Sequence, residues 1–152
     1  MESSPEAAAR RAELARTAPF RPRGVSCRGR LDGRDVCFLC GTVGAEFDRW
    51  QRKLSLVSAA DAYFAQQLGL EAVEKVMDEL EAELRREVEA EGKRLSPRWS
   101  PGYGGRPLSL SREILRQLDA TKKIGVSITD SDLLVPSKSV TAVCEIVEGR
   151  ET

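Results

Sequence analysis

Between Ser58 and Gly92 the chain carries one long helical pattern, and a helix of that length dictates how the other elements can pack. Val73, Val76, Met77, Leu80, Leu84 and Val88 recur at the spacing that gathers apolar side chains on one face. Ser58 is a favoured N-cap residue type, and Gly92 suits the left-handed residue that stops a helix. This stripe reads as core. Gly69 falls inside the pattern at a cost to helix propensity, so it marks either a break or a close contact, with a packing neighbour or with a ligand.

The elements around this helix alternate in period. Val36 to Cys40 reads as a strand, Gly41 to Gly44 as a turn, and Phe47, Trp50, Leu54 and Val57 as the apolar side of a shorter helix. Leu110, Ile114 and Leu118 predict another short helix ending near Thr121. Ile124, Val126 and Ile128 alternate as a strand does, Thr129 to Asp132 forms a polar turn, and Pro136 breaks the run through Leu133, Leu134 and Val135. Val140 to Val147 is the last strand. The expected class is α+β, a small antiparallel sheet packed with one long and two shorter helices. Residues 1–24 are rich in Ala, Arg, Glu and Pro and read as a disordered or partly helical tail, leaving residues 25–152 as a single domain.

Charge limits the function classes. The 24 basic and 24 acidic residues cancel, so no overall field draws the chain to nucleic acid or to an anionic membrane. Locally, eight arginines lie between Arg10 and Arg34 against Glu13 and Asp32, while Glu71 to Glu91 holds nine acids against Lys75, Arg85 and Arg86. Both segments read as solvated surface, a tail and a helix face, with a docking surface as the alternative. No apolar run is long enough for a membrane span, and the first residues lack the apolar core of a secretory signal, so the expected location is cytoplasmic. There is no histidine, which removes Ser-His-Asp and Cys-His catalysis and any histidine metal ligand. Cys37 and Cys40 have metal-ligand spacing, yet residues three apart on a strand point to opposite faces. With Cys27 and Cys144 they read as reduced thiols, and no metal site and no catalytic residue are expected.

The residues richest in binding chemistry are Arg98-Trp-Ser-Pro-Gly-Tyr103. The Pro-Gly step presets a turn, and glycine lets a ligand touch the backbone. Arg98 suits a carboxylate through a two-pronged hydrogen bond, and Tyr103 or Trp99 suits a flat or cationic group.

Three segments, Arg94 to Pro107, Ile124 to Ser131 and Pro136 to Ala142, resemble in order the activation (reactivation) domain of vitamin B12-dependent methionine synthase. That family carries an Arg-x-x-Pro-Gly-Tyr loop, a helix, a Gly-Val/Met-x-Leu-Thr-Glu-Ser turn and a Pro-x-x-Ser-Val-Ser/Thr segment. Asp130 stands here where the turn usually has glutamate. Weaker similarity reaches back to Asp35 and includes Asp61 to Tyr63 and Ala72 to Glu74. The chain is most similar to short, freestanding relatives of the domain. The resemblance implies binding of S-adenosylmethionine by Arg98, Ser100, Gly102 and Tyr103. It also implies an acid on the preceding helix, Glu87 or, next to it in rank, Glu83.

By the same resemblance the protein would be an accessory to a methyltransferase, not a self-sufficient enzyme. It would position the methyl donor over an oxidised cob(II)alamin carried by a partner methionine synthase module, with one electron from a donor such as flavodoxin. A homodimer would be one way to complete the pocket. A second reading is a docking module for a corrinoid methyltransferase that does not bind S-adenosylmethionine. A third, nucleic-acid binding through Arg10 to Arg34, is disfavoured by the balanced charge.

Overall fold

The computed structural model describes residues 4–149; the ends of the expected tail and domain, residues 1–3 and 150–152, lie outside the described residues. Helix α3, Ala59–Ala90, is the spine. Ser58 caps it by accepting from the Asp61 N–H, and Gly92 takes a φ of +79° just past its end. On one side of α3 lies a four-stranded antiparallel sheet, β1 (Arg23–Leu31), β2 (Arg34–Thr42), β3 (Lys93–Leu95) and β6 (Ser139–Glu148), in the order β1-β2-β6-β3. Against its other face pack α4, Leu110–Leu118, and α5, Ala120–Ile124. Helix α2, Ala45–Val57, leans on the first half of α3, and a two-stranded ribbon, β4 (Ser127–Ile128) and β5 (Leu134–Val135), leads into β6.

Alternation along β2 builds both cores. Val36, Phe38 and Cys40 face α4 and α5 with Ile114, Leu118 and Val143, while Cys37 and Leu39 face α3 with Met77, Leu84, Val88 and Cys144. Cys37 and Cys40 therefore sit on opposite faces, the arrangement that strand geometry demands. All four cysteines are free thiols. The α+β class and antiparallel sheet are those read from the sequence.

Several local expectations change. Pro5–Thr17 is a helix, α1, capped by the Ser4 hydroxyl and docked on α3, where the expectation was a disordered or partly helical tail. Leu14 is buried, and Arg10 Nε and Nη2 donate to the two Asp61 oxygens at 3.0 and 2.6 Å. Counting α5, two helices join the three expected. Residues 23–31 form a strand that sequence periodicity did not predict, joined to β2 by Asp32 and Gly33 at φ +52° and +78°, the signs a type I′ hairpin turn needs. Strand β2 runs through Gly41 to Thr42, so the turn begins later than expected. Ile124 ends α5 instead of opening a strand, because Gly125 caps that helix in the left-handed region.

Candidate functional site

The Pro-Gly loop is held from below. Trp99 exchanges both backbone hydrogen bonds with Val143, at 2.9 and 2.8 Å, so residues 98–100 lie alongside β6. Ser100 Oγ donates to the Thr141 carbonyl at 2.7 Å. Gly102 adopts φ +94°, closed to most side chains, and its N–H donates to the Arg106 carbonyl at 2.9 Å. The result is a fixed loop standing over the start of β6.

Between this loop, the first turn of α4, the ribbon and β6 lies a cleft of about 440 Å³. Ser100, Ser111, Ser137, Ser139 and Thr141 line it with hydroxyl-bearing residues whose hydroxyls are bonded within the protein, Ser111 and Thr141 to each other at 2.9 Å, Ser137 to Asp48 at 2.7 Å and Ser139 to Thr42 at 2.8 Å. Tyr103, Leu108 and Leu133 form an apolar mouth, and Tyr103 is 72% exposed. Exposed apolar side chains around a polar floor suit a ligand with one flat apolar part and several polar groups. Glu74 of α3 closes one end, and Asp132 of the ribbon, bound to Arg112 at 2.7 Å, lies on the other side.

The structure places the sequence-derived residues as follows. Ser100 and Tyr103 line the cleft, and Gly102 shapes it by passing close to Leu108. Arg98 lies behind the loop, with Nη1 donating to Glu81 at 2.7 Å and Nη2 to Glu74 at 2.7 Å and Asp78 at 2.9 Å. Burial opposes its charge, but the hydrogen bonds to Glu74, Glu81 and Asp78 outweigh that and hold the guanidinium more firmly protonated than usual. Its two-pronged face is thus directed to α3 and not into the cleft, against the geometry expected of it. Trp99 does not line the cleft; Arg106 covers its ring at 4.1 Å on the far side of the loop.

Neither Glu87 nor Glu83 reaches the cleft. Glu87 lies close enough to Arg28 and Cys37 to act on their charge, and Glu83 lines a small hollow beside Pro22 and Gly24. From Glu74 to Glu87 the helix rises about 20 Å, which explains the separation. The acid that the helix does bring to the site is Glu74, from the Ala72-Val-Glu74 segment. Ser137, Ser139 and Thr141 come from the Pro136 to Ala142 segment. Both segments stood out in the sequence, but nothing local showed which side chains turn toward one cleft.

No family model matches the sequence, and no curated protein matches it. Among solved structures, the chain is similar to a crystal structure of the MetH reactivation domain bound to AdoHcy. The TM-score is 0.71, sequence identity is 16%, and the match covers 97% of this chain and 65% of that one. The chain therefore spans about two thirds of the length of the domain it matches, with its helices and strands in the same arrangement. In architecture, this protein has the fold of a methionine synthase reactivation domain.

Proposed function

We propose that the protein binds S-adenosylmethionine in the cleft under the Pro-Gly loop and presents its methyl group to a cobalamin carried by a methionine synthase module. The cleft itself carries this reading: an exposed tyrosine, a wall of hydroxyl-bearing residues and an acidic end are gathered beside one rigid turn, in a fold shared with a domain whose crystal structure holds AdoHcy. Its volume falls within the range of about 300–1,000 Å³ usual for ligand pockets. Tyr103 would cover the adenine or the sulfonium. Loop backbone groups near Ser100 and Gly102 would meet the nucleoside, while Glu74 would attract the cationic end of the ligand. Arg98 would fix Glu74 in place. One electron from an external donor such as flavodoxin, together with the methyl group, would convert cob(II)alamin into methylcobalamin and release S-adenosylhomocysteine. The chain would contribute positioning, which needs no acid or base of its own.

One observation favours a second reading. Arg98 is engaged by three carboxylates, which fits a scaffold that docks a corrinoid protein without using the methyl donor. Calorimetric titration with S-adenosylmethionine, run on the native chain and on Tyr103→Ala, separates the two. Saturable binding that weakens in the variant supports methyl-donor binding. A folded native chain that gives no heat of binding leaves the docking module.

A further inference from the structure

Beside the cleft, and separated from it by Ser137, lies a second hollow of about 390 Å³ between α2, α3 and the residues that lead into β6. Lys138 ends in it. This lysine is only 6% exposed, and among the described residues no carboxylate lies within ion-pair distance of its ammonium. Nζ donates to Gln51 Oε1 at 3.1 Å and more distantly to Ser137 Oγ at 3.4 Å, and it stands over the Phe47 ring at 5.9 Å, which leaves one of its three protons without a hydrogen-bond acceptor. A buried cation is normally paired, because desolvation is costly without an opposite charge.

The surroundings are arranged around this ammonium. Gln51 Nε2 donates to Gln66 Oε1 at 2.9 Å, which turns the Gln51 oxygen toward Lys138 and leaves the Gln66 amide protons without a partner among the described residues. Arg52, at the rim, likewise makes no side-chain hydrogen bond among the described residues. Asp48 is the one acid in the lining, and both its oxygens are taken, by the Ser137 N–H at 2.8 Å and by the Ser137 hydroxyl at 2.7 Å. Lys138 and Arg52 against Asp48 leave the hollow with a net charge of +1. The lysine stem runs over Gly69, where a Cβ would come within 3.0 Å of its Cε, so α3 has been cut back to admit it. Burial lowers the pKa of this amine and Asp48 partly restores it; an anion in contact with Nζ would oppose the burial further.

From this arrangement we infer that the Lys138 hollow is a binding site for a small oxyanion, a carboxylate or phosphate group, held by Lys138 Nζ, the Gln66 amide and Arg52. The anion has two possible sources. It could be the carboxylate of a ligand lying in the neighbouring cleft, since Ser137 belongs to both walls and Arg98 is committed elsewhere; that arm rests on the proposed function. It could equally be a separate small anion.

NMR of the whole chain, observing the Lys138 Cε protons beside Phe47 and the Gln66 side-chain amide, tests the site with inorganic phosphate, acetate and S-adenosylmethionine as probes. The expected result is a saturable shift of both signals with phosphate or acetate, weakened about tenfold or more in Lys138→Met. Gln66→Leu, which keeps the lysine, should weaken it too and covers the case in which Lys138→Met does not fold. S-adenosylmethionine that displaces phosphate identifies the ligand carboxylate as occupant. Simultaneous binding identifies a separate anion. If phosphate binds and S-adenosylmethionine does not, the function proposed above fails while this site stands. Shifts that never saturate, or that surface lysines show equally, overturn the site.

Discussion

A methyl group at position 69 would stand 2.6 Å from Phe47 Cε2 and 2.9 Å from its Cζ. Phe47 is fully buried and stacked on Phe20 at 5.1 Å, so the ring has nowhere to go. Gly69→Ala should therefore cost about 1–3 kcal/mol by overpacking, although alanine is the better helix former by about 1 kcal/mol. Urea denaturation measures this, and a variant more stable than the native chain would show that propensity outweighs packing. The sequence marked this glycine as a break or a close contact; the structure shows an unbroken helix and supplies the neighbours, a phenyl ring and a lysine stem. The same scale separates the two prominent loop residues. Tyr103 is exposed and carries no fold contact of consequence, so Tyr103→Ala should leave the unfolding midpoint unchanged while weakening S-adenosylmethionine binding about tenfold. Arg98→Ala should instead lower stability by on the order of 1–2 kcal/mol, because the mostly buried Glu81 loses a charged partner and keeps only Arg85. A loss of ligand binding in Arg98→Ala is then read beside its unfolding curve, whereas Tyr103→Ala reports the cleft directly.

Helix α1 is the element whose docking the sequence did not show. Its Ala- and Arg-rich face carries one buried anchor, Leu14, and the ion pairs that hold it to α3 join residues far apart in the chain, Arg10 to Asp61 and Arg11 to Glu71. Such partners leave no local periodicity to read. Leu14→Ala should cost about 2 kcal/mol if the helix is docked, and nothing if residues 5–17 are a solvated tail; thermal unfolding decides between them. Strand β1 was hidden for a related reason. Gly24 and Gly29 interrupt its alternation because Leu80 and the Phe38 ring occupy the space their side chains would need, at 2.9 and 2.6 Å from an added Cβ. The Asp32-Gly33 pair was a legible hairpin signal that the flanking arginines and glycines obscured. By contrast α3 and β6 each bury a regular stripe, and for them periodicity sufficed, whereas α2 follows its pattern only in part, burying Phe47, half-burying Trp50 and Leu54 and leaving the expected Val57 84% exposed. Cleft residues divide in the same manner. The loop was legible from its turn chemistry, whereas which helix acid borders the cleft, Glu74 and not Glu87, followed only once the helix had been laid against β6 and the loop.

Across the whole molecule, the sheet buries thiols on both faces, and this gives the fold a defined response to alkali. Cys40 faces α4 and α5, and Cys144 faces α3 directly opposite Cys37 on the neighbouring strand. Burial pushes the Cys40 thiol up to about 12 from an ordinary value of 9.0, and burial, with a smaller push from Glu81, does the same to Cys144. Raised values in the native state mean that the folded chain holds protons which the unfolded chain has released. Stability from these two thiols is therefore fully present below pH 9.0 and is lost as the pH rises toward about 12. Within that window each contributes a slope of about −1.4 kcal/mol per pH unit. Tyrosines and lysines titrate in the same range, so the comparison that isolates the thiols is between the native chain and Cys40→Ala. The variant should be less stable at neutral pH because of the space it leaves in the core, yet its stability should fall less steeply from about pH 9 upward. Urea midpoints taken across that range measure both effects at once. Parallel curves for the two proteins would mean that Cys40 ionises in the folded chain as readily as in the unfolded one, and that the face of the sheet beneath α4 and α5 is open to water.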